Sequence, residues 1–232
     1  MHAETKASLA AKLASLSTAA ASPASARAAL DDLHREHGDL PKQLERKFAR
    51  LPTPQQRVLL ELVQAAGARE YVPLLQSVSR QPEVPLAIRN QAAAVAEPLG
   101  GEVDSPYGEA LRRAADTLAQ LQEAGDTALT AEGELAPRWQ QAVLNLPIAL
   151  ACDLARELAS AHPAVALAVL RSLRPIIDAR DRYAFVETAG HIALPESAAL
   201  LQDLLAEAAA KPLQKTIRRA LHRLRGPGRQ SA

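Results

Sequence analysis

The sequence predicts an all-α protein, an α-solenoid of stacked antiparallel helical hairpins with about 12–13 helices. Three observations predict it. Alanine (50) and leucine (36) make up over a third of the 232 residues, and both are strong helix formers. No stretch alternates apolar and polar residues with period two, as a half-buried strand would. The 16 prolines stand where helices would begin and the glycines where they would stop. That punctuation implies short helices joined by tight turns.

The elements follow in order. Residues 1–22, rich in Ala and Ser, read as a helix near 5–20 or a tail; Lys12 splits the apolar run that a signal peptide would need. Ser22–Pro23 opens a helix over 23–37, and Gly38 closes it. A helix over 40–50 comes next, and Thr53–Pro54 opens one over 54–66 that stops at Gly67. Helices near 70–80 and 85–98 end before Gly100–Gly101, and Ser105–Pro106 opens the longest, over 107–124. The segment AGDTALTAEGE (124–134) is the longest expected loop. It is the expected boundary between a first helical unit, 23–123, and a second, 135–226. In the second unit, helices are expected near 136–145, 147–160, 164–174, 180–193, 196–209 and 212–225; those over 164–174, 196–209 and 212–225 are opened by His162–Pro163, LPES and Lys211–Pro212. Residues 227–232 are expected to form a disordered tail.

Segment 48–99 repeats at 143–194. The pair Leu51–Pro52 recurs as Leu146–Pro147, and Leu59, Leu75, Ser77 and Leu99 recur as Leu154, Leu170, Ser172 and Leu194. The matched punctuation implies two related units of three helices, with a closing pair over 196–225. The stretch REYVPLLQSVSRQPEVPLAIRNQAAAVAEPLG (69–100) resembles a HEAT repeat. One helix carries an apolar VPLL stripe, a turn follows, and the second helix places an Arg before small residues. Stretches 162–194 and 195–226 are looser copies, so the resemblance covers about half the chain. It implies hairpins whose second helices line a concave inner face. On that face the resemblance places Arg89, Asn90, Arg182, Tyr183, Glu187 and His191 as candidate partner-binding residues. HEAT-like DNA glycosylases are similar in length and fold, and they hold a catalytic Asp among aromatic residues. Here Trp139 lies in LAPRWQQAV, beside Arg138 and with no close acid.

The chain's near-neutrality is a cancellation. Residues 1–210 carry 20 basic and 26 acidic residues, whereas 211–232 carry seven basic residues and no acid. Such asymmetry points to an anionic contact at one end. On a helical wheel Leu213, Ile217, Ala220, Leu221 and Leu224 share one face, with Lys211, Lys215, Arg218 and His222 opposite and Arg219 on the flank. Lys211, Lys215, Arg218, Arg219 and His222 are therefore the candidate anion-binding residues. Arg223 and Arg225 near the helix end also suit its dipole, while Lys211 and Lys215 at its start do not. The expected partner is a protein that presents an acidic patch. Nucleic-acid backbone contact is the alternative, although a chain with 3% aromatic residues has few platforms for stacked bases. Membrane binding is not expected, because the apolar stripe belongs to the core.

Chemistry is sparse. The cluster DDLHREHGD (31–39) aligns Asp31 with His34 and His34 with His37, but metal sites need three or four ligands. Glu187 and His191 stand at the spacing of an acid–base pair or an ion-paired helix face. P-loop, GxGxxG, HExxH and GxSxG patterns are missing. We expect no cofactor, no metal and no catalytic residues. Cys152, the one cysteine, excludes an internal disulfide and any CxxC motif; it reads as a buried apolar residue in a reducing cytoplasm.

Overall fold

The computed structural model describes residues 8–16, 20, 22–101 and 105–226. The expected start of the first helix and the tail at 227–232 lie outside them. The described residues form thirteen α-helices and no strand: α1 (Leu9–Ser15), α2 (Pro23–His37), α3 (Leu40–Lys47), α4 (Thr53–Ala66), α5 (Val72–Arg80), α6 (Leu86–Ala96), α7 (Ser105–Ala124), α8 (Pro137–Leu144), α9 (Ile148–Leu158), α10 (Pro163–Leu173), α11 (Arg182–Ala189), α12 (Pro195–Glu207) and α13 (Lys211–Leu224). None of them is long and apolar enough to cross a membrane.

Local chemistry sets the ends. Ser22 caps α2, its hydroxyl accepting the amide of Ser25 at 3.2 Å, with Pro23 in the first turn. Gly67 ends α4 in the left-handed region at φ 59°, where a side chain would clash with the backbone. There the amides of Gly67 and Ala68 close onto the carbonyls of Gln64 and Val63. Several expected helices finish or begin with a tighter 3₁₀ turn, at Phe48–Arg50, Arg69–Tyr71, Glu97–Leu99 and Arg174–Ile176. The helix expected over 180–193 is shorter and stops at Ala189, because Gly190 leads the chain out into a turn.

The chain forms two compact units, 1–109 and 110–232, divided inside α7. Segment 124–134 is ordered within the second unit. It makes a 3₁₀ turn at Gly125–Ala128 and an antiparallel bridge between Leu129 and Leu135.

In the first unit α2, α4 and α6 pack side by side, α3 packs on α5, and α5 packs on α6. Its core holds Leu30, Leu33, Leu44, Phe48, Leu59, Leu62, Leu75 and Val78. In the second unit α9, α11 and α13 pack in succession, α8 packs on α10, α9 packs on α10 and α12 packs on α13. Helices α4 and α9 both follow a cap proline, Pro52 and Pro147. The matched leucines Leu59/Leu154 and Leu75/Leu170 are all buried.

Where α11 ends on α13 the backbones nearly touch: a Cβ added to Gly190 would stand 2.8 Å from that of Ala220. Glycine is what allows α13 to approach this closely.

Candidate functional site

Helix α13 has two faces with different tasks. Leu213, Ile217, Ala220 and Leu221 are buried, because α11 and α12 both pack there. Lys211, Lys215, Arg218, Arg219 and His222 are exposed. At 1.5 Å per residue these side chains form a strip roughly 16 Å long. None of the five makes an ion pair with a described residue. Other arginines of the same unit are paired: Arg156 with Asp153 at 2.5 Å, Arg174 with Glu207 at 2.9 Å, and Arg223 with Glu187 at 3.0 Å. The first turn of α13 contains no acid, although the helix dipole would favour one there and disfavours Lys211. Fold stability therefore gives no account of the strip's N-terminal half.

Arg223 belongs to a different arrangement. Its guanidinium donates to the Glu187 carboxylate, reaches the Glu187 carbonyl at 3.5 Å, and lies 3.1 Å from His191 Nε2. Glu187 sits on α11, while His191 lies beyond the end of that helix. The two residues meet around an arginine rather than on one helical face. An arginine clamped between them holds α13 to α11, and it leaves no free acid–base couple.

The remaining candidates separate. Tyr183 is 42% exposed, one of two large apolar residues so exposed among those described; the other is Ile176. Arg182 precedes it at the start of α11 and lines a narrow slot with Leu213 and Ile217 of α13. Packing of α11 on α13 thus gathers Arg182, Tyr183, Glu187, His191 and the cationic strip into one unit.

Asn90 and Arg89 belong to the first unit. Asn90 is half-buried on α6. Arg89 is 3% exposed. Its Nε donates to the Ser79 carbonyl at 3.1 Å and its terminal nitrogen to the Tyr107 hydroxyl at 2.8 Å, while that hydroxyl donates to the same carbonyl at 2.9 Å. The Arg89 guanidinium, expected on a partner-facing surface, is turned into an internal network with Ser79 and Tyr107.

No family model, curated protein or solved structure matches the chain. Among the described residues no three His, Cys, Asp or Glu converge on a point that could hold a metal.

Cys152 is 1% exposed, and burial pushes its thiol up to about 12; a thiol so shielded is no nucleophile. Trp139 is buried with Arg138 stacked 4.5 Å from its ring centre, so it offers no platform to a base.

The first unit contains a cleft of about 370 Å³ that the sequence indicates only in part. Its walls are Arg27, Asp31 and His34 from α2, Asp39, Lys42 and Glu45 around α3, and Glu70 and Tyr71 before α5, over a floor that includes Leu30 and Leu74. Asp31 and His34 stand out in the sequence through their helical spacing. The contributions of Glu45, Glu70 and Tyr71 come from packing α3 against α5, which no local pattern encodes.

Proposed function

We propose that this protein is a non-catalytic helical-repeat scaffold whose α13 strip docks the acidic surface of a protein partner. The observation that carries this reading is the row Lys211, Lys215, Arg218, Arg219 and His222, exposed and without a carboxylate partner among the described residues. Unneutralised charge of one sign raises the local concentration of opposite charge and speeds encounter. Tyr183 supports a protein partner over a nucleic acid. An exposed tyrosine beside an arginine is the residue pair that interfaces favour as anchors, whereas a single exposed ring is a poor stacking platform for bases. The next-but-one packing of helices within each unit supports a reading as stacked hairpins of HEAT-like type, with Arg182 and Tyr183 on an inner helix.

The test is titration of the full chain with poly-L-glutamate and with a 20-base-pair duplex at two salt concentrations. Poly-L-glutamate should bind, and the double reversal Lys215→Glu/Arg218→Glu should weaken it by roughly tenfold or more. Tighter binding of the duplex, with an affinity that collapses as salt rises, would sink the protein reading in favour of phosphate contact.

A further inference from the structure

Four of the exposed α13 side chains follow a spacing that solubility alone does not require. Lys211, Lys215, Arg218 and His222 succeed one another by four, three and four residues. At 100° per residue they fall within an arc of about 60° and run as one straight row along the helix. Arg219, also exposed, stands about 70° from the centre of that row. Along the axis the row advances by roughly 6, 4.5 and 6 Å. The opposite face of α13 is buried, and Gly190 lies against Ala220, so the row is carried on a helix fixed in place. Its neighbours do not neutralise it. On α12, Asp203 and Glu207 turn to Arg174 at 3.4 and 2.9 Å, and on α11 Glu187 turns to Arg223 at 3.0 Å. No member of the row makes an ion pair among the described residues.

We infer that the row docks a helix of the partner protein that carries carboxylates at the same four–three–four spacing along one face. The inference rests on the reading of α13 as a surface for an acidic protein, and it specifies the form of the acidic segment. A helix laid along α13 has the same rise per residue, so carboxylates at i, i+4, i+7 and i+11 stand level with the four side chains and meet them together. His222 serves its carboxylate as a cation or as a neutral N–H donor. An extended strand repeats one face evenly, about every 6.7 Å, and drifts out of step with the uneven row. An unordered acidic chain must also be fixed residue by residue, a cost that a preformed helix avoids.

The experiment is calorimetric titration of the full chain with three alanine-rich peptides of equal charge, each about 20 residues long so that a helix can form alone. The first carries four glutamates at the four–three–four spacing. The second distributes four glutamates round the helix. The third is the first with a central proline that breaks the helix. Circular dichroism reports the helicity of each. The first should bind about tenfold more tightly than the other two, because its ion pairs form together. Arg218→Gln, on the row, should weaken the first peptide about threefold. Arg219→Gln removes the same charge beside the row and should weaken it less than about 1.5-fold. Equal binding of the first peptide and either of the others, or equal effects of the two substitutions, overturns the inference. So does failure of the first peptide while poly-L-glutamate binds, whereas failure of both overturns the acidic-partner reading with it. Tighter binding of the duplex overturns both in favour of phosphate contact. Self-association of the chain that Arg218→Gln abolishes overturns the inference in favour of a second copy.

Discussion

Arg89 shows how far a residue's meaning depends on its surroundings. In the sequence it is an arginine before a run of small residues, the pattern that resembles a HEAT inner helix. In the fold it joins the Ser79 carbonyl and the Tyr107 hydroxyl in a largely buried triangle of hydrogen bonds. A guanidinium is desolvated at a cost, and these hydrogen bonds offset it. Arg89→Ala leaves the carbonyl and the hydroxyl underserved, and we expect a loss of about 2–3 kcal/mol in urea unfolding. Binding of poly-L-glutamate should not change, and that combination separates a structural arginine from a recognition arginine. Arg223 was legible as a cation near a helix end. Its grip on Glu187 and His191 was not, because those residues are distant in sequence and meet only through the α11–α13 contact.

At the scale of the element, that contact is the most exacting in the second unit. Gly190 lies against Ala220, and Ile217 and Leu221 are buried in the same interface. Gly190→Ala should cost roughly 1–3 kcal/mol through overpacking. The compensating pair Gly190→Ala/Ala220→Gly should recover part of it, since the two substitutions exchange one methyl group across the same gap. Recovery is read as a shift in the thermal midpoint, and a double variant no more stable than Gly190→Ala would show that another neighbour sets the limit. Helix boundaries were well indicated where proline or glycine fixes the backbone, as at Pro23, Pro163, Pro195 and Gly67. They were poorly indicated where a helix tightens into a 3₁₀ turn, as at Phe48–Arg50, because that depends on which side chains the core accepts. The all-α character was legible from composition and period. The first-unit cleft was not, because its walls come from α2, α3 and the start of α5, which the sequence keeps apart.

At the scale of the molecule, each unit carries one group that folding holds in its neutral form. Burial, with Glu70 nearby as the next cause, raises the Tyr71 phenol from 10.0 to about 12. Burial, with Asp153 next, raises the Cys152 thiol from 9.0 to about 12. For both, the folded state holds its proton more tightly than the unfolded chain does. Their contribution to stability is therefore complete below pH 9 and is lost as pH rises through about 12. We expect the urea midpoint to fall over that window. Cys152→Ala should flatten the fall in the second unit and Tyr71→Phe in the first. A midpoint independent of pH across the same range would contradict the assigned burial of both groups.

The position of Cys152 has one more consequence. The sequence has a single cysteine, and the helix that carries it turns it inward to 1% exposure. Peroxide and other electrophiles that act on accessible thiolates therefore find no sulfhydryl to modify while the second unit stays folded.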